Sequence, residues 1–279
     1  IGVSFGEDPG LLADVPPDRI TAINKAAAPV NDLAAKRNVR GVSLGNGLYP
    51  TDALAKQFGM TKTELSEIFW DGVNTDYSKL EAKGKALKEL LKAGREVHIT
   101  NANGTDLKLR IENRPVFVSD GVTSDEDLKS GLAAVQVYLP AGEVFTTPVP
   151  GTAEGIVVID HDFYQGKSIE GVVLTFKAGR LTSMKAKSGL EPMKANYDAA
   201  GPGKEEFSSI DIGINPDVRI NPGSKLLAWV PSGMLTISIG NNLWAGGENK
   251  TPYQYNFFMP GSTVKVDGIV IIENGVLIK

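Results

Sequence analysis

Residues 77–111 read YSKLEAKGKALKELLKAGREVHITNANGTDLKLRI, and within them the spacing of apolar residues changes period. Over residues 77–93, Leu80, Leu87, Leu90 and Leu91 fall on one face with Lys and Glu opposite, and Gly94 follows. That pattern predicts a helix that packs one side on a core and ends at the glycine. Its lysines, Lys79, Lys83, Lys85, Lys88 and Lys92, read as a solvated face. From Glu96 onward the alternation has period two: Val97-His98-Ile99, the Asn103-Gly104 turn, then Leu107, Leu109 and Ile111 between Lys108 and Arg110. This is strand, turn, strand.

The helical reading extends toward the N-terminus. Residues 18–37 repeat Ala, Ile and Leu at helical spacing, and Pro29 splits them into two expected short helices. A helix over about residues 52–58 stops at Gly59, and Thr61-Lys62-Thr63-Glu64 forms a capping box that starts the next one. The strand reading extends the other way, through residues 136–139, 156–159, 172–176, 235–239 and 269–272, with one short helix near residues 191–197. The expected fold is α+β. A helix-rich N-terminal domain, helical or α/β, covers residues 1–95, and a strand-rich C-terminal domain covers residues 96–279.

Composition narrows the function. The chain has 279 residues, 29 basic against 33 acidic side chains, a net charge of −4 and 42% hydrophobic residues. This balance is that of a soluble globular protein and argues against nucleic acid or an acidic membrane as a partner. With no cysteine there is no disulfide framework, thiolate nucleophile or thiolate-held metal. The histidines are His98 and His161. No apolar run is long enough for a membrane span. The start at Ile1-Gly2-Val3 is neither an initiator Met nor a signal peptide, so the N-terminus is expected to be trimmed or processed, and the compartment, cytoplasmic or exported, stays open.

Most motif-like clusters read as ordinary structure. Gly201-Pro202-Gly203-Lys204 lacks the spacing of a phosphate loop and reads as a surface turn. In Asp160-His161-Asp162, strand parity places at most the two aspartates on one side. His98 reads as a hydrogen-bonded structural histidine. Asn249-Lys250-Thr251 satisfies the N-glycosylation pattern, relevant only in a secretory pathway. Two segments are less ordinary. In residues 139–148, LPAGEVFTTP, the lone Glu143 sits between a Pro-Ala-Gly bend and a hydrophobic strand, where a carboxylate must find donors, a cation or a proton. In residues 233–260, glycines permit close backbone approach and clustered amide side chains supply hydrogen bonds, the plainer reading being a loop held by asparagine caps.

These segments carry a resemblance. Residues 139–148 are similar to the Pro-x-Gly-Glu-Val-Phe-Thr-Ala-Pro signature of the aminopeptidase T family, the thermophilic-type metallo-aminopeptidases that include aminopeptidase S and the staphylococcal aminopeptidase. Asn103-Gly104-Thr105-Asp106-Leu107 resembles that family's Gly-Thr-Asp-Leu turn, Ile212-Gly213-Ile214-Asn215-Pro216 its Gly-Ile-Gly-x-Asn-Pro segment, and residues 233–267 its last block. Tyr49-Pro50-Thr51 with Ala55 and Gly59-Met60 is like its N-terminal helical region, which is expected to be shortened here. The resemblance implies a two-metal site, zinc or cobalt, at which a bridging water attacks the first peptide bond, and a homodimer.

Residue by residue, that site departs from the family pattern. Glu143 is kept as a metal-ligand position. A second family glutamate falls on Ser209, with Asp211 two residues away; the family's Gly-Thr-Val-His reads Gly233-Met234-Leu235-Thr236; and its Ser-x-x-His-x-Asp places Gln254 and Asn256 where His and Asp stand. Hydroxyls and carboxamides are weak zinc ligands. In place of metal, Ser209, Thr236, Gln254 and Asn256 are expected to hydrogen-bond one another and Glu143. The leading expectation is therefore a non-catalytic binding or scaffold protein with no metal cofactor, whose cleft takes a peptide end or a small polar ligand. An aminopeptidase with relocated ligands, needing zinc or cobalt, is one alternative. A metal-independent acid/base enzyme using Glu143 with Tyr253 or Tyr255 is another.

Overall fold

The computed structural model describes residues 2–3, 10–221 and 223–279; Ile1, where the sequence begins, lies outside them. The helix read in the opening stretch runs Tyr77–Ala93, with Asp76 capping the amides of Ser78 and Lys79 and Gly94 closing the end. Thr61 starts the Lys62–Val73 helix through the expected capping box, in which Glu64 accepts the Thr61 amide at 2.7 Å. Around Pro29 the expectation of two helices is corrected: one helix spans Pro17–Lys36. Proline removes a single hydrogen bond to the preceding turn, and here the bonding on both sides of it carries the helix through.

Two antiparallel sheets face each other. The larger has eight strands, in spatial order Arg180–Lys185, Lys167–Lys177, Glu154–Tyr164, Asp106–Arg110, Glu96–Thr100, Thr263–Val266, Ile269–Glu273 and Val276–Leu277. The smaller has five, in order Gln254–Phe258, Leu235–Gly240, Phe207–Gly213, Glu143–Thr146 and Val116–Ser119. A parallel three-stranded sheet, Gly2–Val3, Gly41–Leu44 and Gln136–Leu139, is not part of either ladder.

Val97, Ile99, Leu107, Val157 and Leu174 of the large sheet and Val144, Ile210, Ile212, Ile237 and Phe257 of the small one share one core. Leu80, Leu87 and Leu91 join the same core from the Tyr77–Ala93 helix. At roughly 1.5–3 kcal/mol for each fully buried aliphatic or aromatic side chain, this is the main cohesive term of the fold. A second cluster joins Phe58, Leu65, Ile68 and Phe69 of the N-terminal helices to Val218, Leu226, Ala228 and Val230. A third, small cluster of Phe117, Ala134, Phe145 and Ala245 borders the site described next.

Candidate functional site

Strand alternation gives the five-stranded sheet one apolar and one polar face. Val144, Ile210, Ile212, Leu235, Ile237 and Phe257 point into the shared core. Their neighbours in sequence therefore point the other way. Register aligns them: Asp211 lies opposite Phe145 on one side and Thr236 on the other, and Ser238 lies opposite both Ser209 and Asn256. This face floors a cavity of about 390 Å³ lined by Glu143, Phe145, Ser209, Asp211, Thr236, Gln254 and Asn256. Ser209, Thr236, Gln254, Asn256, Glu143 and Asp211, each singled out from the sequence, thus meet in one place.

The bend before the Glu143–Thr146 strand fixes where Glu143 starts. Gly142 has φ +128°, and a Cβ there would sit 2.7 Å from the Asn215 Cβ and 2.9 Å from its nitrogen. The Asn215 carboxamide in turn donates to the carbonyls of Ala141 at 2.7 Å and Gly72 at 3.0 Å. The bend is therefore pinned from two directions, by backbone that only glycine allows and by a buried amide.

Sequence reasoning missed the remaining walls. Asn46 enters from the loop after Gly41–Leu44, Gln136 and Tyr138 from the three-stranded sheet, and Trp229 and Trp244 from connections on either side of the Leu235–Gly240 strand. Trp244 lies tilted against Phe145 with ring centroids 5.2 Å apart, and Trp229 meets Phe258 edge-on at 5.0 Å. These residues come from loops and a distant sheet, where no periodicity marks them. The Gly45-Asn46-Gly47 triplet is the single local hint, since Asn46 has φ +42° in a tight turn.

Glu143 is 7% exposed and accepts a 2.7 Å hydrogen bond from the Asn46 carboxamide, whose nitrogen also reaches the Pro140 carbonyl at 2.9 Å. Burial pushes its pKa up to about 7 against the opposing effect of that hydrogen bond. Asp211 is 8% exposed, and burial followed by the charge of Glu143 lifts it well above the carboxylate range. Among the described residues, no Lys, Arg or His lines the cavity. The expected mutual satisfaction of the replaced positions is corrected: Ser209 bonds Ser238 at 2.6 Å, Asn46 serves Glu143, and Thr236 Oγ1 and Asp211 Oδ1 are buried without a partner. Asp211 and Thr236 are direct neighbours on adjacent strands, and both residues line the cavity.

Tyr253 and Tyr255 are not brought into the cavity. They alternate with Gln254 and Asn256 and therefore belong to the core face, where Tyr255 donates to Asp162 Oδ2 at 3.0 Å and to the Phe163 carbonyl at 3.2 Å. Asp160 and Asp162 also part company: Asp160 is exposed beside the Asn103 carboxamide, whereas Asp162 is buried, accepts the Phe163 amide at 2.7 Å and is pushed by burial up to about 6. The far end of the Glu154–Tyr164 strand runs beyond its pairing with Asp106–Arg110, which ends at Ile156, and the other sheet covers it there. His98 bonds Asp106 at 2.7 Å, the structural role read for it. The 241–249 segment is a loop held by asparagines: Asn242 accepts the Asn249 amide at 2.8 Å, and the Asn249 side chain donates to the carbonyls of Gly203 and Gly240, both at 2.7 Å. Among the described residues no three His, Asp or Glu side chains come together as a group that could hold a metal ion.

The profile of the thermophilic metalloprotease (M29) family matches residues 3–200 of this chain. Aminopeptidase AmpS of Bacillus subtilis (strain 168) is 30% identical over 94 residues, which is 33% of this chain and 22% of that protein. The match thus spans about a fifth of the curated relative's length. Wild-type AmpT from Thermus thermophilus superposes with a TM-score of 0.69 at 17% identity, covering 99% of this chain and 75% of that one. The 2,5-dihydroxypyridine dioxygenase from Pseudomonas putida KT2440 superposes with a TM-score of 0.64 at 17% identity, covering 89% and 75%. At such identity the two structures show a common fold and no more.

Proposed function

Because the chain belongs to the thermophilic metalloprotease (M29) family, we propose that it keeps that family's fold and uses the cavity for binding without a two-metal centre, taking a peptide end or a small polar ligand. The observation that carries this reading is the donor set. A pair of first-row dications needs imidazole, thiolate or several ionised carboxylates to offset their desolvation. Among the described residues the cavity supplies two carboxyls, together with hydroxyls and carboxamides and no imidazole. These residues do not fit that pair of ions.

The aminopeptidase alternative would need ligands brought from elsewhere. The acid/base alternative loses its tyrosines, which face the opposite side of the sheet from Glu143. The test is an aminopeptidase assay on aminoacyl chromogenic substrates with zinc, cobalt or manganese supplied, with and without chelator. No chelator-sensitive cleavage is expected, and metal-dependent turnover that chelator abolishes overturns the reading. We also propose a homodimer, for which sedimentation showing only monomer at working concentration is the refuting result.

A further inference from the structure

We propose that the cavity binds a small aromatic carboxamide, with the amide edge on the Gln254 and Asn256 side chains and the ring against Trp229 and Trp244. This names a ligand class for the binding reading above and rests on it. Gln254 and Asn256 alternate with Tyr253 and Phe257, which are buried in the shared core, so both carboxamides stand on the cavity face. Same-face neighbours on one strand lie about 7 Å apart. Neither side chain is sealed in, since Gln254 is exposed and Asn256 half-buried. Among the described residues neither carboxamide has a hydrogen-bond partner. The other amide side chains around the sheet are engaged: Asn46 holds Glu143, Asn215 the Ala141 carbonyl, Asn242 the Asn249 amide and Asn249 the Gly203 carbonyl. The loop and bend are thus held without Gln254 and Asn256, which stay free for a ligand.

A carboxamide presents a donor and an acceptor side by side, and a second carboxamide answers both at once. A carboxylate offers acceptors alone, and no Lys, Arg or His among the described lining residues receives its charge. The aromatic walls lie beside these amides and are already fixed. Phe258 follows Asn256 on the same face of the strand, and Trp229 packs edge-on against it. Gly47, at φ +73°, approaches the Trp229 ring so closely that a Cβ there would come to 3.0 Å from it. Trp244 donates its indole N–H to the Asn241 carbonyl at 3.2 Å and lies against Phe145. Indoles held in this way need little further ordering when a ring packs on them. A volume of about 390 Å³ accommodates a small organic molecule.

The experiment is isothermal titration of the purified metal-free protein with benzamide, with acetophenone, which keeps the ring and carbonyl but has no N–H, and with benzoate. Two hydrogen bonds to carboxamides predict that benzamide binds roughly tenfold more tightly than either comparator. The double variant Gln254→Leu/Asn256→Leu is expected to lower benzamide to the affinity of acetophenone, leave acetophenone unchanged and retain cooperative thermal unfolding. Trp244→Ala is expected to weaken both ligands alike. Benzamide bound no more tightly than acetophenone or benzoate by the wild-type protein overturns the proposal without recourse to any variant. So does a benzamide preference that survives the double substitution, or no binding at millimolar benzamide. Retained stoichiometric metal would instead defeat the underlying binding reading, whereas a metal-free protein indifferent to benzamide defeats this inference alone.

Discussion

Replacing Asp162 with Asn should stabilise the protein at alkaline pH and do progressively less as pH falls. Asp162 is 4% exposed and accepts hydrogen bonds from the Phe163 amide and the Tyr255 hydroxyl, yet burial outweighs both and raises it from 3.8 to about 6. The folded state therefore holds the proton more tightly than the unfolded chain. Between those two values it binds more protons, so stability is fully present below 3.8 and is lost as pH rises through about 6. The rise corresponds to about 3 kcal/mol. An asparagine carboxamide keeps the shape and the Phe163 contact but cannot ionise. Urea unfolding of the two proteins side by side cancels every other titrating group. The variant should exceed wild type by about 3 kcal/mol at pH 8 and by about 1 kcal/mol at pH 4.5. An equal difference at both values, or a variant less stable than wild type at pH 8, refutes the claim that Asp162 is buried without adequate compensation.

Other consequences follow from the same reasoning. Glu143→Gln retains an acceptor for Asn46 and removes a carboxyl that burial raises to about 7, so urea midpoints above pH 7 should equal or exceed those of wild type, and a marked loss would show that an ionised Glu143 stabilises the fold. Gly142→Ala forces a Cβ into Asn215 at a backbone angle of +128° and should cost at least about 2 kcal/mol in denaturant unfolding; a change within error would mean that the bend is not pinned. Ile237→Ala, at the centre of the shared core, should cost about 2–5 kcal/mol by thermal or urea unfolding.

The sequence was most readable where punctuation and periodicity agree. The Tyr77–Ala93 helix emerges with its ends correct because Asp76 and Gly94 bracket a clean apolar stripe. The Gln136–Leu139 strand was found as well. Phe207–Gly213 is harder to read, since all seven of its residues are buried: Ser209 and Asp211 line a cavity, so inward-facing polar residues resemble solvated ones. Pro29 is a poor boundary marker because a 20-residue helix tolerates the one hydrogen bond it removes. The floor of the candidate site came from motif resemblance and strand parity, which together bring Glu143, Ser209, Asp211, Thr236, Gln254 and Asn256 to one face. Its aromatic walls and Asn46 did not, because Trp229, Trp244 and Asn46 arrive from connections whose positions are set by tertiary packing. Tyr253 and Tyr255 show the same limit in reverse, since adjacency to Gln254 in sequence means the opposite face in a strand.

The most direct test of the central claim is elemental analysis of the purified protein after incubation with zinc, cobalt and manganese and extensive desalting. A cavity floored by two carboxyls, hydroxyls and carboxamides, with no imidazole among its described lining, predicts well under one retained metal per chain. Two tightly held metal ions per chain would contradict it.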